Sequence, residues 1–388
     1  MTGCVNEYTA SEHHVAGEQI GEVVPSIAVL GTRGYPSYYS GFETAVRKLA
    51  PYLASTGWDV TVYGRRGATR PGDPDVDRRV STRVTRGVET KSASTLSYGF
   101  TSVLDAAGRR PDVALIMNVA NGYYLPLLRA RAVPTLVNVD GLEWERAKWG
   151  SLAKRVFRTG AACTARWASG LVFDSREIES YWQKTFGVRG TFIPYGGDVP
   201  PALPVPDGLA HRGYVLMVAR LVPENTLSEF FEAVPTIAAR HHVVIVGSSG
   251  YGGEWDDAAR SLAADNSAVS WLGHLSNDSL LHALWQHAGV YFHGHSVGGT
   301  NPSLVQAMAA RAPILARDTV YNREVLGPAG RFVGPNSEAI AGAVLQMMGS
   351  PSELDEAARA NLARAEQDYS WKQVCSDYEH ALRALLRN

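Results

Sequence analysis

One pattern occurs twice along this chain and constrains its fold more than any other feature. A short apolar run ends on glycine, a loop of small residues follows, and apolar residues then recur at helical spacing before the next run. The first copy opens with Ser26-Ile-Ala-Val-Leu-Gly31. Phe42, Val46, Leu49, Ala50 and Leu53 follow at helical spacing, Gly57 fits the helix end, and 58–65 reads as the next strand. Runs at 112–119, 134–141, 169–175 and 190–197 read as further strands, and 151–169 as a long amphipathic helix. Continuous apolar runs of this length belong to parallel strands covered on both faces. Pro200, Pro201, Pro204 and Pro206 then interrupt the pattern. It restarts with strands at 214–219, 241–250, 268–273, 289–295 and 313–318. Helices follow at 226–239, at 276–288 with Ser276 as N-cap, and from Pro302.

The expected fold class is α/β, with two doubly wound Rossmann-like domains facing across a cleft. The expected boundaries are an extension over 1–24, a first domain over 25–199, and a linker over 200–212. A second domain follows over 213–370, and a final helix over 371–388 crosses back to the first.

Composition excludes several classes. Lys plus Arg number 37 and Asp plus Glu 38, so nucleic-acid binding driven by overall charge is not expected. No apolar run approaches the roughly 20 residues that span a bilayer. The first 24 residues show neither a basic start nor an apolar segment and read as a mildly acidic extension. Cys4, Cys163 and Cys375 are odd in number and scattered, which points away from disulfides and a cysteine zinc site and toward a reducing cytoplasm. His13-His14 reads as a solvated pair in a polar tail.

Chemistry concentrates where strands run out. After His293-Gly294-His295 come Gly298-Gly299 and then Thr300-Asn301-Pro302-Ser303, with Asn301 as N-cap and Pro302 in the first turn. A helix start preceded by glycines offers free N–H groups and a positive dipole end to a diphosphate. Gly41 opens a helix in the first half in the same way, and Arg220 follows the first strand of the second half, where its fork of donors suits phosphate. Asp140, Glu143 and Glu145 end another first-domain strand; one can meet an acceptor hydroxyl, or they cap the next helix. His293 and His295 are too few for a metal, and one reads as a hydrogen-bond donor near the ligand. No metal and no resident cofactor are expected. Residues 65–91 form a basic stretch read as a solvated face, as is the 151–169 helix, although its Lys154, Arg155, Arg158 and Trp167 can also lie on an anionic membrane.

Six strings occur in order from about residue 26 to the C-terminus. They are Gly31-Thr-Arg-Gly-Tyr-Pro36, Gly41-Phe-Glu-Thr44, the 137–149 segment around Asp140-Gly-Leu-Glu-Trp-Glu-Arg146, Ile193-Pro-Tyr-Gly-Gly197, Arg220-Leu-Val-Pro-Glu-Asn225 and the 293–303 segment. As a set they resemble the rhamnosyltransferase-like branch of the retaining GT-B glycosyltransferases of family four. The resemblance implies metal-independent transfer of a hexose or deoxyhexose from a nucleotide-diphosphate sugar to an acceptor hydroxyl, with retention. It implies a small-molecule or lipid-linked glycan acceptor, no nucleic acid, and a cytoplasmic enzyme that can sit peripherally on the inner membrane face.

Arg220, Asp140 and Glu143 are the implied catalytic residues. The implied donor contacts are Gly41, Phe42, Arg220, Asn225, Gly247, His274, Leu275, His295, Gly298, Gly299, Thr300, Asn301, Ser303 and Gln306. Gln306 stands where the family usually has glutamate, Asn225 where it often has a cation, and Ser40 where it has a first loop glycine. Two other readings stay open: a nucleotide-sugar-binding paralogue without turnover, and another GT-B enzyme such as a nucleotide-sugar epimerase.

Overall fold

Alternate residues of the central strands bury themselves on opposite faces of two separate sheets. The computed structural model describes residues 1, 24–38, 41–70, 72–89, 94–139, 141–146, 150–250 and 252–387. Asp140, Ser40, Cys4, His13 and His14 lie outside the described residues.

The first sheet contains β1 (Ser26–Leu30), β2 (Asp59–Gly64), β3 (Val80–Val84), β4 (Val113–Met117), β5 (Thr135–Asn138), β6 (Gly170–Phe173) and β7 (Thr191–Phe192). The second contains β8 (Tyr214–Val218), β9 (His242–Val246), β10 (Val269–Trp271), β11 (Val290–His293), β12 (Ile314–Arg317) and β13 (Arg331–Val333). Their orders are β3-β2-β1-β4-β5-β6-β7 and β10-β9-β8-β11-β12-β13, and every named pairing is parallel. In β1, Ile27 and Val29 face one core layer while Ala28 and Leu30 face the other; Val215 and Met217 of β8 oppose Tyr214 and Leu216 in the same way. These are two Rossmann-like domains. In each, β1 or β8 starts a sheet that grows first to one side and then to the other. The carboxyl ends at that switch, β1 beside β4 and β8 beside β11, form a natural ligand crevice.

Several elements differ from the sequence reading. The basic stretch 65–91 contains β3, an edge strand in which Val80 is buried and Arg83 pairs with Asp105 at 2.9 Å; with one apolar residue inward, it lacks the run that marked the others. A helix over Ser94–Arg109 and the three-residue β13 were also not read. Asn277, not Ser276, caps the helix Asp278–His287, its Oδ1 accepting from Leu280 N at 3.1 Å. The run at 190–197 is strand only over Thr191–Phe192. Ile193 and Tyr195 are nevertheless buried, so apolar character there reflects burial rather than sheet.

The helix Trp371–Leu386 packs its Trp371, Val374, Cys375, Tyr378 and Leu382 face into the core layer that holds Ile27, Leu49 and Leu53 of the first domain. Gly197 N donates to Tyr369 O at 2.8 Å, so the outgoing and returning chain crossings run side by side. Gly196 has no room for a side chain, because a Cβ there would meet Trp371 Cδ2 at 2.6 Å. Leu382 is fully buried in this contact. Leu382→Ala should cost about 2–5 kcal/mol, read as a lower urea midpoint at unchanged m-value.

Candidate active site

Two helix starts, one from each domain, meet at the carboxyl ends of the sheets. The helix Gly41–Ser55 follows the loop after β1, and the helix Pro302–Ala309 follows the loop after β11. A Cβ built on Gly41 would stand 2.9 Å from Pro302 Cγ, so only glycine lets these ends approach so closely. Asn301 caps the second helix, its Oδ1 accepting from Ser303 N at 3.0 Å. Each helix start carries about half a positive charge; at the second, the first-turn N–H groups are taken by Asn301, so its attraction for an anion in the gap comes from the dipole and from the glycine backbone before it.

The loop before Pro302 is fixed against the other domain. Gly299 lies on Asp174 at the end of β6, where a Cβ would stand 2.2 Å from Asp174 Oδ1. Thr300 Oγ1 donates to the Asp174 carbonyl, so this hydroxyl, a sequence-level donor contact, is bonded to protein. Gly298 has φ +110°, and a Cβ there would stand 3.5 Å from Arg146 Nη2. The Arg146 guanidinium also lies 3.3 Å from a Cβ built on Gly141 and pairs with Glu143 at 2.8 Å. Glu143 therefore balances an arginine at the first-domain wall of the cleft. Arg146 was not singled out from the sequence, although it ends the Asp140–Arg146 string.

Arg220 is exposed just beyond β8, and among the described residues no carboxylate forms an ion pair with it. Its carbonyl accepts from Asn225 Nδ2 at 2.7 Å, and Asn225 Oδ1 lies 2.8 Å from His295 Nδ1. Because Oδ1 can only accept, His295 carries its hydrogen on Nδ1. Asn225, a donor contact by resemblance, holds the Arg220 loop and orients His295. Gln306 is likewise engaged within the protein. Its Oε1 accepts from Asp198 N at 3.1 Å and its Nε2 donates to Asp198 O at 2.7 Å, so the expected ribose-binding amide is paired with the interdomain crossing.

The remaining sites form a second layer. Gly247 ends β9 with φ +130°, and a Cβ there would stand 1.8 Å from Ala219 O. Its N–H donates to Gly273 O at 2.7 Å, which brings the His274-Leu275 segment beside β9; His274 is exposed and Leu275 packs on the core. Phe42 is half-buried against the first-domain core, and Ser303 is half-buried in the first helical turn. Glu324 of the second domain accepts from Ser175 Oγ at 2.7 Å and Arg176 N at 2.8 Å, placing a carboxylate at a first-domain helix start. No local signal marked this long-range cap. Among the described residues no cluster of three or more His, Cys, Asp or Glu is placed to hold a metal.

His293, at the end of β11, is buried with its Nδ1 2.9 Å from Tyr291 Oη. Burial first, and the neighbouring His295 second, drive its pKa down to about 3. It stands behind the glycine loop as a neutral packing group.

Two Rossmann-like domains that bring glycine-lined helix starts to one cleft define the GT-B class of fold. Residues 40–196 match the glycosyl transferase 4-like domain and residues 212–350 the glycosyl transferases group 1 family; the chain belongs to these group 1 glycosyltransferases. Over 183 residues it is 26% identical to the O-antigen chain mannosyltransferase B of Escherichia coli, covering 46% of this chain and 47% of that one. The match thus spans about half the length of that relative. Sucrose-phosphate synthase (tll1590) from Thermosynechococcus elongatus is similar in fold, with TM-score 0.78, 18% identity, and 94% and 99% of the two chains covered. The UDP-glucose complex of Anabaena Alr3699/HepE gives TM-score 0.72 at 15% identity, covering 92% and 99%.

Two measurements check this geometry. Gly299→Ala should cost about 1–3 kcal/mol by forcing the loop from Asp174, whereas Gly334→Ala, with open space around it, should stay within about 0.5 kcal/mol; thermal midpoints compare them. Below pH 6.5 the unfolded chain protonates His293 while the folded chain does not until about 3. This group therefore lowers stability as pH falls, by about 1.4 kcal/mol per pH unit. Urea titrations from pH 7 to pH 5 should show a shallower decline for His293→Asn.

Proposed function

We propose that this protein transfers a hexose or deoxyhexose from a nucleoside-diphosphate sugar to an acceptor hydroxyl, with retention and without a metal. The observation that carries this reading is the meeting of the Gly41 and Pro302 helix starts across the cleft. Retention and independence of metal rest on the family resemblance. The mannosyltransferase relative supports a hexose, and the UDP-glucose complex of a similar fold supports a nucleotide-sugar donor.

The diphosphate lies between the two helix starts, with the Gly298-Gly299 backbone and Arg220 around it. Arg220 stabilises the charge that develops on the leaving phosphate, the largest contribution available to such a reaction. The acceptor enters on the face from which the diphosphate departs. Its hydroxyl oxygen bonds to the anomeric carbon as the carbon–phosphate oxygen bond breaks, and the leaving phosphate oxygen takes the hydroxyl proton. Glu143 and Asp140 orient that hydroxyl, Glu143 in concert with Arg146.

Binding without turnover is the second reading, favoured by the engagement of Gln306 with Asp198. A thermal-shift panel of UDP, dTDP, GDP, ADP and NAD tests both. A nucleoside diphosphate at 100 times its dissociation constant should add about 2.7 kcal/mol, and Arg220→Ala should remove most of that gain. Silence from every nucleotide at millimolar concentration overturns the donor site. Binding without sugar transfer or donor hydrolysis favours the second reading.

The cytoplasmic, peripheral placement belongs to the same proposal. No helix among the described residues is long and apolar enough to cross a membrane. The helix Ser151–Trp167 exposes Leu152, Arg155 and Arg158, and Arg129 and Arg166 lie over Trp167 at 5.6 and 5.0 Å. Phe100 and Leu104 on a nearby helix are also exposed. Such a face suits anionic lipid. Sedimentation with anionic vesicles at low salt should carry the protein down and neutral vesicles should not; equal partitioning removes the membrane role.

A further inference from the structure

Thr226 holds a backbone conformation that its residue type disfavours. It has φ +56° and ψ +38°, the left-handed region, where a β-branched side chain is costly and glycine is the easy occupant. It also stands at the cap position of the helix Leu227–Ala238, yet its hydroxyl makes no capping bond to that helix. The side chain is buried. Its Oγ1 donates instead to Gly294 O at 2.6 Å and accepts from Arg317 Nη1 at 2.9 Å. A hydroxyl has one hydrogen to give, so the direction of both bonds is fixed.

These partners come from three strand ends. Gly294 follows β11, Arg317 closes β12, and Thr226 ends the loop that leaves β8 with Arg220. That loop is tied to the β11 end at further points. Ser296 N and Oγ donate to Glu224 O at 2.9 and 2.8 Å, and a Cβ on Gly294 would stand 2.2 Å from Asn225 O. Asn322 Nδ2 donates to His295 O at 2.9 Å and to Arg317 O at 2.8 Å, which fixes the β12 end against the same segment. The Arg220 carbonyl is held by Asn225, the neighbour of Thr226. A strained residue that forgoes its helix cap persists where the surrounding structure demands it. Glycine would meet this φ at less cost but brings no hydroxyl to Gly294 and Arg317.

We propose that Thr226 and Arg317 are positioning residues for Arg220: their bonds to the β11 end set the reach of its guanidinium toward the donor diphosphate. The inference rests on the transferase reading and adds two residues that act through the loop rather than by touching substrate.

Calorimetric titration with whichever of UDP, dTDP, GDP and ADP binds the wild-type protein tests it. Thr226→Val keeps the side-chain shape and removes the hydroxyl, and Arg317→Gln removes the charged partner from a half-buried position. Each should weaken binding about fivefold or more, as for residues that share one network, whereas Thr226→Ser, which keeps the hydroxyl, should bind as the wild type does. The deciding step repeats both substitutions in an Arg220→Ala background at millimolar nucleotide. Neither should weaken binding further there, because the group they position is gone. Equal losses in both backgrounds mark a general loosening of the fold and overturn the proposal, and so does wild-type affinity in both single variants. Thermal midpoints report folding, and Arg317→Gln carries the test by itself if Thr226→Val does not fold. If no nucleoside diphosphate binds the wild type, the donor reading falls and this inference with it; if one binds and the losses are equal, this inference alone falls.

Discussion

The site depends on how closely two backbones can approach where the sheets end. Gly41 faces Pro302, and Gly299 faces Asp174, at separations that leave no space for a Cβ. These contacts set the width of the cleft. They also leave its walls made of peptide groups, and peptide N–H groups at helix starts act on an anion without the entropy cost of ordering long side chains. The Thr300–Asp174 and Glu324–Ser175 bonds cross the same boundary and hold the second-domain loop in that position.

Charge is arranged around this gap so that the positive ends stay available. Glu143 is paired with Arg146, Glu324 with a helix start, and Asp198 with Lys48 at 2.7 Å. Arg220 keeps its exposed position because Asn225 holds its carbonyl rather than its guanidinium.

The sequence showed the strands buried on both faces because their apolar runs are continuous, and it showed the helix starts because Asn301-Pro302 and Gly41 act within a few residues of themselves. It did not show β3, whose single buried valine lies among arginines, or β13, which is three residues long. Both are edge strands, where one side of the ladder faces no neighbour and the apolar signal is weak. Nor did it separate Ser276 from Asn277 as a cap, since both residue types accept from a helix N–H equally well.

What the sequence alone determined was therefore local: two parallel α/β units, glycines at the strand ends, and helices ready to receive an anion. The tertiary structure decided which atoms those residues meet. Gln306 pairs with Asp198 from 108 positions away, Glu324 caps a helix 148 positions back, and His295 is oriented by Asn225 across 70. Hydrogen-bond partners at such separations are set by how the domains pack, and a side chain's type fixes only what it can offer, not whether another part of the chain has already taken it.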